Sequence, residues 1–371
     1  MNKKSLFLVT ILLIAGLVMS SCQTKPAETQ TVETETEEVP EPVESETEEV
    51  SEPVEQKEIK VALSNSFLGN SWRIEMIKIF EAYAKQLKEK GVIADYYAST
   101  SADDAQAQIN DVRNMVANGY NVILIDAASP TALAPILEEA AAQGVTVVSF
   151  DNVVYSDNTY SIAVDGAEFA KGQAEWLVNE LGGKGNIFLI RGRAGAHDDE
   201  VRCAAYFEVL DQYPDIKIIG DGYGGWDFGT TAQLMNDLLE ANAGTQLDGI
   251  LMQGMGEVAV VEALLQHEID PATVPFTGEW TNGYFRVITE YGLNVYVTGV
   301  PPYLSAMALD IALDVIDGKD VERNQLLPPP VIAAEDAEKW YIPSQPDEFV
   351  SAYTDEANTW NLKLEDVVVD D

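Results

Sequence analysis

The sequence predicts an α/β chain built from two doubly wound parallel sheets. Short runs that are apolar on consecutive positions recur along it, as strands buried on both faces require. Between them lie segments whose apolar residues return at helical spacing. About 314 residues follow the first 57, enough for two such sheets with intervening helices.

In order, strands are expected at 59–63, 94–97, 122–125, 145–150, 186–190, 216–219, 249–252, 274–277 and 295–297. The first helix carries Ile74, Ile77, Phe80, Ala84 and Leu87 on one stripe and ends at Gly91, a helix-terminating residue. Further helices are expected over 103–116, 131–142, 167–181, 198–210, 229–239 and 258–267, with the change of sheet near 160–166.

The first 57 residues read differently. Lys3 and Lys4 precede an apolar and small run over 6–19 that stops at Ser20, Ser21 and Cys22. A basic start, a short apolar core and a small-residue exit describe an export signal, and the run is too short for a bilayer core of about 30 Å. Its end resembles a bacterial lipobox, so Cys22 is expected to be the lipidated first residue of the mature chain. Residues 23–57 follow as an acidic tether. Residues 26–57 hold twelve glutamates and no aromatic residue, and residues 34–44 repeat almost unchanged as 45–55. Such a segment buries too little apolar surface to offset its ordering entropy, and its like charges extend it.

Charge excludes one class of partner. The whole chain stands at −40, and after Lys57 there are 50 acids against 18 bases with no basic patch, so nucleic acid is excluded. Cys203 is the lone thiol beyond Cys22, so no disulfide framework is expected, and His197 and His267 are too far apart in sequence to suggest zinc. No metal or cofactor is expected. A phosphate-cradling loop and a nucleophile elbow are missing as well: Gly192-Arg193-Ala194-Gly195 lacks the required spacing.

In open parallel sheets ligands sit outside the carboxyl ends of the strands. That rule selects Ser64, Asn65, Asn70, Trp72 and Arg73 after the first strand, then Asp151 and Asn152 after the fourth. It goes on to residues 193–200, Trp226, Asp227, Gln253, Glu257, Glu279, Trp280, Asn282 and Tyr303. Amides, carboxylates and guanidinium groups interleaved with tryptophan suit a neutral polyol: the polar groups exchange hydrogen bonds with hydroxyls, and indole faces cover the C–H face of a sugar ring.

Several stretches together resemble the periplasmic-binding-protein type I solute receptors of the ribose and galactose branch. They are residues 60–65 with 70–73, 119–126, 144–152, Val164-Asp165, and Arg202 within 192–207. The resemblance implies two Rossmann-like lobes joined by a three-segment hinge and closing on a sugar. The N-terminal lobe would take 58–164 plus 299–325, the C-terminal lobe 165–298 plus 326–345, with 346–371 an acidic extension. By position it assigns sugar contacts to Asn70 and Asp151, stacking walls to Trp72 and Trp226, and a polar contact to Glu279. Gln253 or Glu257 would fill an asparagine position, and Arg193, Glu200 and Arg202 compete for an arginine position. Asn152 stands where ribose receptors carry arginine, which opens the choice, beside ribose, to another pentose, a hexose, a sugar alcohol or a disaccharide. The implied role is a monomeric, lipid-anchored receptor on the outer face of the bacterial cytoplasmic membrane, feeding sugar or polyol to ABC permease subunits. A sensor presenting its ligand to a membrane receptor is the alternative. An exported glycan-processing enzyme would need Asp151, Glu257 and Glu279 as acid and base.

Overall fold

The computed structural model describes residues 58–350 and 358–362. The expected signal, lipidated Cys22 and tether lie outside the described residues, as do 351–357 and 363–371 of the expected extension.

The first eight elements are β1 (Lys60–Asn65), α1 (Ser71–Glu89), β2 (Asp95–Thr100), α2 (Ala105–Ala117), β3 (Val122–Asp126), α3 (Pro130–Ala142), β4 (Thr146–Phe150) and β5 (Tyr160–Val164). Ten more follow: α4 (Gly166–Glu180), β6 (Lys184–Arg191), α5 (His197–Leu210), β7 (Asp215–Tyr223), α6 (Phe228–Ala241), β8 (Gly249–Met252), α7 (Glu257–Gln266), β9 (Phe276–Glu279), α8 (Asn282–Tyr291) and β10 (Val295–Thr298). The chain then forms α9 (Leu304–Ile316), β11 (Asn324–Leu327), β12 (Val331–Ile332) and α10 (Ala337–Trp340).

Two six-stranded sheets result, ordered β11-β5-β4-β3-β1-β2 and β12-β10-β9-β8-β6-β7. Strip the outermost late strand from each and the two orders are the same. The pairings are parallel except β10 with β12. Central strands such as β3 are buried throughout, because helices cover both faces. On one face of the first sheet Ile123, Ile125, Leu133 and Leu137 pack with α2 and α3; on the other Val61, Leu63, Met76 and Leu309 pack with α1 and α9.

Three crossings join the lobes. The first follows Val164, where the Asp165 carboxylate caps α4 and its N–H donates to the Leu327 carbonyl at 2.9 Å. The second follows Thr298 and runs through Pro301 and Pro302 into α9. The third is Pro328-Pro329-Pro330, whose fixed φ angles stiffen the link, with the Thr298 hydroxyl donating to the Pro330 carbonyl at 2.7 Å.

Some expectations shift. The strand expected at 274–277 begins at Phe276, because Pro275 has no N–H for the ladder. β11 stays on the first sheet to Leu327, two residues past the expected boundary at 325. Residues 346–350 of the expected extension pack on the body: Phe349 and Val350 are buried, and Val350 bridges to Thr281. Trp360 stacks near Tyr83 and Tyr303 and donates to Asp310 at 2.7 Å. Among the described residues no helix is long and apolar enough to cross a membrane.

Candidate functional site

Strand β1 brings Asn65 to its carboxyl end, and the loop beyond it leads to Asn70, which caps α1 by accepting from the Arg73 N–H at 3.0 Å. That cap fixes the first helical turn and so aims Trp72 and Arg73 at the space between the lobes. Arg73 is buried and forms an ion pair with Asp126 at the end of β3. Its guanidinium also reaches Asp151 at 3.2 Å and the Asn65 Oδ1 at 3.2 Å. Asn152 completes the net, its amide donating to Asp126 and Asp151, each at 3.0 Å. Asp151 has φ +56, left-handed for a residue with a Cβ, so the surrounding bonds hold it in a costly conformation.

The opposite wall is built alike. Arg202, buried in the second turn of α5, donates to Glu279 Oε1 at 2.9 Å at the end of β9. Its guanidinium lies over the Phe169 ring at 4.0 Å and faces the Trp226 ring at 5.8 Å. Trp226 sits at φ +54 in the turn between β7 and α6. Gly192 makes room for it: a Cβ there would come within 2.2 Å of the indole. Behind it Gln253 donates to Asp199 at 2.9 Å, and Asp199 also accepts from Arg191 and the Gly192 N–H.

These two walls meet in a cleft of about 50 Å³, lined by Asn70, Trp72, Arg73, Asp151, Asn152, Trp226 and Glu279 from the sequence expectation. Asp198 and Arg202, also within the expected stretches, complete it with Met255 and Val300, which lie outside that expectation. Across its rim Arg193 pairs with Asp103 and lies over Phe67, so it joins the lobes instead of facing the cleft. Glu200 is exposed, so of Arg193, Glu200 and Arg202 it is Arg202 that lines the cleft.

Five expected residues lie elsewhere. Asn65 and Gln253 stand behind the walls and orient Arg73 and Asp199. Glu257 is buried with its carboxylate accepting the N–H groups of Met255 at 2.7 Å, Gly256 at 3.1 Å and Glu279 at 2.8 Å, so it shapes the strand ends. Asn282 is turned away, donating to the carbonyls of Ile342, Gln345 and Pro346 and accepting from the Ile342 N–H at 2.8 Å. Tyr303 begins α9 and stacks 5.5 Å from Trp360. Each lies at or after a strand end, but its polar atoms or ring are taken by other parts of the protein. Asp126 was missed although it too ends a strand; its signal was a carboxylate closing the apolar run of β3.

Burial dominates the electrostatics. It pushes the Asp151 carboxyl up to about 6, against the pull of Arg73, and the Glu279 carboxyl up to about 7, against that of Arg202. Cys203 is pushed up to about 11, mainly by burial, which makes it a poor nucleophile. Among the described residues no group of three or more His, Cys, Asp and Glu is placed to hold a metal ion. Chemically, the cleft offers carboxylate acceptors, guanidinium donors and two indoles at one place.

The periplasmic binding protein domain family matches residues 61–320. The ribose import binding protein RbsB of Bacillus subtilis (strain 168) is 24% identical over 278 residues, covering 72% of this chain and 85% of that protein. The xylitol-binding protein of Mycolicibacterium smegmatis (strain ATCC 700084 / mc(2)155) is 22% identical, covering 72% of this chain and 77% of that one. Among solved structures, an ABC transporter solute binding protein from Thermobispora bispora DSM 43833 superposes with a TM-score of 0.72 at 26% identity, covering 79% of this chain and 90% of that one. With its two parallel sheets, threefold hinge and cleft between the lobes, the chain belongs to the periplasmic binding proteins of type I, in their ribose and galactose branch.

Proposed function

We propose that this protein is an extracytoplasmic solute-binding lipoprotein that captures a neutral sugar or polyol and hands it to an ABC importer. One observation carries the reading: two guanidinium–carboxylate sets, Arg73 with Asp151 and Arg202 with Glu279, come from opposite lobes and line a cleft walled by Trp72 and Trp226. Carboxylates accept from ring hydroxyls, guanidinium groups donate to them, and the indoles cover the ring's C–H face. Relatives that bind ribose and xylitol support a polyhydroxylated ligand.

Capture works by population shift. Ligand held by one lobe gains its second set of contacts only when the other lobe arrives, so it binds the closed form better and draws the protein toward it. No bond is broken, and the sugar leaves unchanged. Cys22 would anchor the monomer, and the acidic segment after it would give the receptor its reach.

Thermal unfolding against pentoses, hexoses, polyols and disaccharides tests this. Ligand at a hundredfold over its Kd adds about 2.7 kcal/mol and raises Tm clearly. A panel that leaves Tm unmoved throughout would overturn the reading.

A further inference from the structure

Next to the cleft lies a second, larger space of about 450 Å³, within the range of small-molecule sites. It adjoins the cleft: Asn70, Trp226 and Met255 line both. Leu68 and Phe228 face it from the two lobes and are 52% and 38% exposed, a costly setting for large apolar side chains that nothing covers.

Its outer wall is the segment 346–349, which is bonded to both lobes. Asn282 N–H donates to the Phe349 carbonyl at 2.6 Å and Gly283 N–H to the Asp347 carbonyl at 2.8 Å. From the other lobe the Ser71 hydroxyl donates to the Glu348 carbonyl, and Glu75 Oε1 accepts the Val350 N–H at 2.9 Å. The chamber therefore has a fixed wall when the lobes are together.

Charge narrows the occupant. The charged side chains lining the chamber are Asp227, Glu257, Asp347 and Glu348, all carboxylates. Asp227 caps α6, Glu257 is held by backbone N–H groups and Asp347 is paired with Arg286 at 2.7 Å. The lining therefore offers no cation to a phosphate or uronate group, and Glu348 stands against one. Carboxylates and carbonyls beside exposed Phe228 and Leu68 suit a second neutral ring, its hydroxyls on the acceptors and its C–H face on the apolar side chains.

We propose that the natural ligand is a neutral disaccharide, with one ring in the cleft and its glycosidic partner in this chamber. The proposal rests on the sugar-binding reading above and goes beyond it in naming the size and charge of the cargo.

The test is calorimetric titration of the full chain in a non-glycosidic detergent. Glucose, galactose, xylose and arabinose are compared with maltose, cellobiose, lactose and xylobiose. The expected result is one disaccharide binding at least about tenfold tighter than its constituent monosaccharides. Leu68→Trp, a change at an exposed loop position that fills the chamber, should remove that advantage and leave monosaccharide affinity unchanged. Phe228→Ala should weaken the disaccharide alone. Monosaccharides matching every disaccharide, with Leu68→Trp silent, would overturn the second subsite and leave the sugar receptor standing. An octyl glycoside equal to the best disaccharide would replace the second ring by an apolar aglycone and overturn the proposal. Failure of every saccharide would overturn this proposal, and failure of the polyols as well would overturn the sugar-or-polyol reading.

Discussion

Asp151 and Glu279 are carboxyls whose ionisation is opposed by the same burial that makes the cleft useful. Held up to about 6 and about 7, each binds its proton more tightly in the folded protein than in the unfolded chain. The folded state is then favoured at low pH, and this contribution is lost as pH rises from the ordinary carboxylate range through those values. Ligand binding runs the other way, because a ring hydroxyl needs the ionised acceptor. Sugar affinity should therefore fall several-fold between pH 7.5 and pH 5.5, and binding near pH 7 should release protons. Titration in buffers of different ionisation enthalpy reads both, and an affinity flat across that interval would contradict the assignment. At the same scale, Trp226→Ala and Trp72→Ala each remove a wall. Each should weaken sugar binding by about tenfold, the loss of roughly 1.4 kcal/mol of apolar burial. Thermal unfolding would show whether the Trp226→Ala protein keeps its fold.

At the scale of elements, the strand-end rule found much of the cleft because its residues are held by backbone position. A carboxyl-terminal strand end and the capped helix after it determine where Asp151, Glu279 and Arg73 go. The same rule failed at Asn282 and Tyr303, since local pattern does not show which partner a side chain will choose. Asn282 bonds to a segment about sixty residues on, and Tyr303 stacks on Trp360. Contacts between residues so far apart leave no periodicity to read. Strand β5 falls within the expected change of sheet near 160–166, and β11 and β12 escaped because they are short, half-exposed edges without a strong apolar run. Asn282 offers a test of its structural role. Asn282→Ala leaves half-buried carbonyls at residues 342–346 without their donor and should cost about 1 kcal/mol, measured by denaturant unfolding. A loss within a few tenths of a kcal/mol would mean that this clamp does not hold the end of the chain.

At the scale of the molecule, the two sheets share one strand order, and each presents its switch point to the other. The fold was legible because strand and helix alternate with clear periods on either side of the lobe junction. The walls' facing arrangement was legible only through family resemblance, since the chain passes between lobes three times and spacing alone does not pair distant loops. Closure unites what the sequence separates: Arg73 and Arg202 stand 129 positions apart and line one cleft. The most direct test of that union is tryptophan fluorescence titration with neutral sugars and polyols, because Trp72 and Trp226 are the walls. One of these sugars or polyols should give a saturable one-site change, abolished in Arg202→Ala and in Asp151→Ala, one variant from each lobe. Binding that survives both substitutions would place the ligand elsewhere and contradict the central claim.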